Sequence, residues 1–187
     1  MKNYYFLFLS FIIISCGVFR DKQENYQRID SNNIVKLNGT YSIFASKNLN
    51  TENSYFSNAN EKFYRKYGRG KTDTIKFDII SEANFKILIK NKNEIKLEFF
   101  KNNEIIKTQT LKYKFKEDGF LYVKNKNTLI WGIPFLFGGV DVKKVRIALT
   151  KNNNLLINNV YDSSGAYLLI FGDAKVWENT NEYQRVK

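Results

Sequence analysis

The chain has 187 residues, is 43% hydrophobic and 16% aromatic, and carries a formal charge of +12 from 30 Lys and Arg against 18 Asp and Glu. That length holds one domain with a sizeable core. Histidine is absent and cysteine occurs once, which excludes Ser-His-Asp and Cys-His catalysis, His-ligated zinc and an intrachain disulfide.

The opening residues carry one charge, Lys2, and then an apolar run from Tyr4 to Ile14 broken only by Ser10. Such a run suits the apolar core of a secretory signal and falls short of the roughly 20 apolar residues of a spanning helix. It ends in Ile13-Ile14-Ser15-Cys16-Gly17, which resembles the lipobox of bacterial lipoproteins. The resemblance implies that residues 1–15 are removed and that Cys16 is acylated with palmitate-like chains. One chain holds a protein marginally to a bilayer, and two or three hold it firmly. Gly17 in place of aspartate implies, by the same resemblance, an outer-membrane lipoprotein facing the periplasm or the cell surface. With that address, nucleic acid is not an expected partner of the positive charge. Anionic head groups and cell-wall polymers are.

Residues 16–33 are polar and without apolar period, and they read as a flexible spacer after Cys16. Residues 34–187 read as a single β-barrel-like domain. Val35, Leu37, Tyr41 and Ile43 share one parity, as a half-buried strand requires. Gly39 and Tyr41 resemble the G-x-W signature on the first strand of lipocalin-like barrels, with tyrosine in place of tryptophan. That resemblance implies a barrel enclosing a ligand.

Residues 46–73 are rich in Asn and Ser and then basic and aromatic. Phe56, Phe63 and Tyr67 recur at helical spacing among Arg65, Lys66, Arg69 and Lys71. Two readings stand: a basic aromatic lid, or a short amphipathic helix plugging the end of the barrel. Gly68-Arg69-Gly70-Lys71 lacks the strand-to-helix context of a phosphate loop.

From residue 74 the alternation is sustained. Ile75, Phe77 and Ile79, then Phe85, Ile87 and Ile89, then Ile95, Leu97 and Phe99, then Leu111, Tyr113 and Phe115 alternate with polar residues, mostly lysine. Short Asn-rich connectors separate them, giving an antiparallel meander with one wet face. Residues 117–119 read as a turn and 120–124 as a short strand. Residues 128–140 hold Trp131, Phe135, Phe137 and the one proline, and read either as a strand ending in an apolar loop at the barrel mouth or as a buried strand. Strands are then expected over 142–150, 155–161 and 166–171, with turns at 151–154 and 162–165. Val176, Trp177 and the polar tail are expected to pack across the outside.

The expected fold is all-β: an antiparallel barrel or strongly curved meander sheet of about nine strands with one short helix. Two functions compete. In the first, the anchored domain binds an apolar or amphipathic small molecule through Tyr41, Trp131, Phe135 and Phe137. In the second, the core is filled and the protein binds an envelope protein or anionic polymer through its basic surface. An enzyme is not expected: Asp78, Glu82, Glu94, Glu98 and Asp141 show no catalytic or metal-ligating spacing, and no cofactor motif occurs.

Overall fold

The computed structural model describes residues 19–20, 23–50, 57–64, 66–68, 71–72, 75–77, 82–124, 128–133, 137–167 and 171–186. The strands are β1 (Tyr26–Gln27), β2 (Gly39–Ser42), β3 (Lys47–Asn48), β4 (Lys66–Gly68), β5 (Lys71–Thr72), β6 (Ala83–Asn91) and β7 (Glu94–Lys101). They continue with β8 (Glu104–Phe115), β9 (Leu121–Lys124), β10 (Thr128–Ile133), β11 (Phe137–Thr150), β12 (Leu155–Tyr167), β13 (Phe171–Tyr183) and β14 (Arg185–Val186). A 3-10 helix covers Ile34–Leu37, and α1 covers Ala59–Phe63.

Among the described residues, twelve strands form one antiparallel sheet in the order β14-β2-β6-β7-β8-β9-β11-β12-β13-β3, with β1 and β10 also on β11 and β4–β5 as a separate hairpin. The all-β expectation is right, and the strand number exceeds the nine or so expected. The sheet curves until its first and last segments meet, β2 on β14 and β3 on β13. It does not close into a continuous barrel, because those two short ladders are out of register with each other. Between them the chain turns away: Ala45 N–H donates to the Ser57 carbonyl and Ala59 N–H to the Ile43 carbonyl. The same detour delivers α1, whose Asn58 cap accepts from the Asn60 N–H at 2.8 Å and whose Phe63 is buried.

Local chemistry sets the hairpins. Asn102 and Asn103 take positive φ between β7 and β8, and Asn153 does so between β11 and β12, a conformation asparagine adopts at little cost. The inward positions then align across strands: Tyr41 opposite Phe85, Phe85 opposite Phe99, and Leu149 opposite Leu155 opposite Tyr183. Phe85 sits at the centre, with the rings of Tyr41, Phe99, Tyr183 and Phe63 at 5.7, 5.9, 6.0 and 6.4 Å. This end of the interior is filled by side chains.

Four expectations need correction. Residues 34–37 are a 3-10 helix rather than the start of a strand, seated by Asp30 Oδ1, which accepts from the N–H groups of Asn32 and Asn33. Residues 162–165 are not a turn. They lie inside β12, and although Asp-Ser-Ser-Gly favours turns, β11 and β13 pair with it on both sides and override that preference. Val176 and Trp177 belong to β13, not to an outer tail. From Gln23 onward the expected spacer is docked: β1 pairs with the end of β11, Ile29 is buried, and the Tyr26 and Phe120 rings lie 4.4 Å apart. Its apolar residues are too sparse to show a period, yet Ile29 joins the buried core and Tyr26 packs against it.

Candidate functional site

The docked N-terminal segment and the outer faces of β8, β9 and β11 enclose a groove of about 670 Å³. Its construction follows from register. Lys114 stands opposite Tyr122, and Tyr122 opposite Arg146, so three neighbouring strands present their outward side chains together. Lys116, Lys124 and Lys144 flank them, and Phe19 and Arg20 close one side. Among the described residues, the lining thus holds six basic side chains against a single acid, Asp118. The whole chain carries 30 against 18, so positive charge is concentrated here well beyond the average.

Arg146 forms the buried floor. Its Nη1 donates to Asp118 Oδ2 at 2.9 Å and its Nε to Asn158 Oδ1 at 2.8 Å, while Nη2 lies 3.8 Å from Glu178 Oε1. Its guanidinium is sandwiched between the rings of Phe19 and Phe120, each 4.3 Å away. The Arg20 N–H donates to Glu178 Oε2 at 2.7 Å, and Gln23 Nε2 to Thr180 Oγ1 at 3.1 Å, so the N-terminal segment is tied to the same polar row. The Tyr122 hydroxyl donates to Asp118 Oδ2 at 2.5 Å. Burial, followed by that bond, pushes its pKa up to about 12, so it stays a neutral donor. With Asp118 and Glu178 engaged by Arg146, the exposed ammonium groups of Lys114, Lys116 and Lys124 dominate the rim. Such a cleft concentrates positive potential and attracts anions.

The residues singled out from sequence do not assemble into one site. Tyr41 is buried in the filled core, its hydroxyl donating to the Leu37 carbonyl at 2.9 Å. Burial pushes its pKa up to about 12 despite the Arg185 charge beside it. Trp131 pairs with Gly139 near the opposite end of β11, and eleven residues separate Gly139 from Thr150, about 36 Å of strand. Phe137 is exposed beside Trp131's strand. Phe135 and Cys16 lie outside the described residues, as do Phe56, Arg65 and Arg69. A shared cavity for Tyr41, Trp131 and Phe137 is therefore not what the fold builds. Sequence reasoning missed the groove because Lys114, Lys116 and Lys124 look like the ordinary wet faces of strands.

Among the described residues, no helix is long and apolar enough to cross a membrane, and no group of three acidic or cysteine ligands could hold a metal ion. No family model, curated protein or solved structure matches the chain.

Proposed function

We propose that this protein is a lipid-anchored envelope protein whose domain binds anionic groups in the groove between the N-terminal segment and β8, β9 and β11. The observation that carries this reading is the charge of the groove: among the described residues, six basic side chains to one acid around about 670 Å³. The anchor rests on the lipobox resemblance of Ile13-Ile14-Ser15-Cys16, and the outer-membrane address on Gly17 after it. The filled core around Phe85 favours the interaction protein over an interior carrier of small apolar molecules.

Two experiments test the reading. Lys114→Ala with Lys124→Ala weakens pyrophosphate binding roughly tenfold, about 0.7 kcal/mol for each lost charge, within the range for charge pairs near a surface. The matched pair Lys36→Ala with Lys86→Ala, away from the groove, leaves it unchanged. Equal loss in both pairs would sink the groove as the site. Intact mass of protein purified from membranes reports the anchor: acyl chains vanish in Cys16→Ala, and an unmodified wild-type mass would reject it.

One observation favours a second reading. Trp131, Ile133 and Phe137 are exposed on one face of β10 and the start of β11, an apolar surface for a lipid-like molecule or an envelope protein. Trp131→Ala removes a stoichiometric extractable adduct under this reading. An apo mass for the wild type would reject it.

A further inference from the structure

We propose that the groove takes the phosphate head group of an anionic phospholipid in the same bilayer that holds Cys16. This rests on the reading of the groove as an anion site and adds where the anion comes from.

Cys16 lies within reach of the groove. Phe19 is part of the groove wall, its ring edge-on to Tyr122 at 5.5 Å and 4.3 Å from the Arg146 guanidinium. It is three positions along the chain from Cys16, and three residues span at most about 10 Å. The polar layer on each side of a bilayer is roughly 5–7 Å thick. An acylated Cys16 at the interface therefore sets the Phe19 end of the groove among or directly beside the head groups. A soluble polymer would have to enter the narrow space between domain and bilayer, whereas head groups are already there at high effective concentration.

The chemistry of the rim suits a phosphodiester as well. The rim offers primary ammonium groups on Lys114, Lys116 and Lys124. A phosphodiester brings one charge and several acceptor oxygens, which suits several separate point donors. Apolar exposure accompanies the charge. Val176 is exposed two residues from Glu178, the residue that ties down Arg20, and it shares Glu178's outward side of β13. A basic cleft with an aliphatic contact beside it matches an interface where phosphate lies above hydrocarbon.

The test uses residues 16–187 with Cys16→Ser, which retains every described contact while removing the acyl chains, and sedimentation with vesicles. Vesicles with about 30% phosphatidylglycerol in phosphatidylcholine bind the protein roughly tenfold more tightly than phosphatidylcholine alone, as expected for two or so basic side chains at an anionic surface. The preference disappears in about 0.5 M NaCl, where the screening length shrinks to a few ångströms. It also disappears in Lys114→Glu with Lys124→Glu and survives in Lys36→Glu with Lys86→Glu. Pyrophosphate binding without vesicle preference would overturn the bilayer source and leave the anion site standing. Absence of both would overturn the two readings together. Equal loss in the two variant pairs would show diffuse charge attraction and also overturn the inference.

Discussion

Arg185 Nη2 donates to the Tyr41 hydroxyl at 2.7 Å, and the guanidinium lies 5.0 Å from the centre of the Tyr41 ring. This contact joins the last strand, β14, to β2 across 144 residues of chain. The same side chain donates to the carbonyls of Lys36 at 2.6 Å, Asn38 at 2.9 Å and Asn153 at 3.0 Å. It thus bridges the 3-10 helix, β2 and the β11–β12 turn where the sheet fails to close by backbone pairing alone. Gly39 leaves the room for it: a Cβ there would stand 2.5 Å from Arg185 Nη1.

Arg185→Lys keeps the charge and loses the planar fork, so unfolding in urea should show a loss of about 2 kcal/mol, set by charged hydrogen bonds to carbonyls that stay partly buried. Gly39→Ala should give a smaller loss of about 1 kcal/mol through displacement of the same guanidinium. A wild-type urea midpoint in Arg185→Lys would contradict the bridging role.

Stability should pass through a maximum near pH 10. Burial, opposed in part by Glu61, holds the Lys62 ammonium down to about 8 from 10.5. Between those values the unfolded chain binds a proton that the folded chain lacks, so stability rises with pH there and is lost as pH falls through about 8. Burial pushes Tyr41 and Tyr122 up to about 12 and raises Tyr183 as well. Above pH 10 the unfolded tyrosines lose protons that the folded ones retain, and stability falls. Urea midpoints from pH 7 to about 12 check both limbs. Lys62→Met should flatten the rising limb only, and an unchanged limb in that variant would assign the rise to another group.

Arg146→Ala takes the guanidinium away from Asp118, from the largely buried Glu178 and from between the rings of Phe19 and Phe120. Breaking such a pair on one side costs about 3–5 kcal/mol. Arg146→Met with Glu178→Met should recover a good part of that, because the buried carboxylate that faced Arg146 goes too. Thermal unfolding of the single and double variants distinguishes them, and equal losses would mean that packing rather than charge sets the cost.

Much of the sheet is legible in the sequence because β6 to β8 alternate one residue in and one out. The boundaries fail where pairing partners outweigh local preference, as at Asp162 to Gly165 inside β12. Gly39 and Tyr41 announce themselves as a pair, but the Arg185 that gives the pair its role is remote and sits in a polar tail. The groove is the hardest part to read. Lys114 and Arg146 meet only through the β8–β9–β11 register, and Phe19 and Arg20 join them only because the segment after Cys16 docks instead of hanging free.

The most direct test is a pyrophosphate titration of the isotope-labelled chain, residues 16–187 with Cys16→Ser, followed by amide and lysine side-chain NMR. The account predicts saturable shifts confined to Arg20, Lys114, Lys116, Tyr122, Lys124, Lys144 and Arg146. Shifts scattered over the lysines of β6 and β7, or none at all, would contradict it.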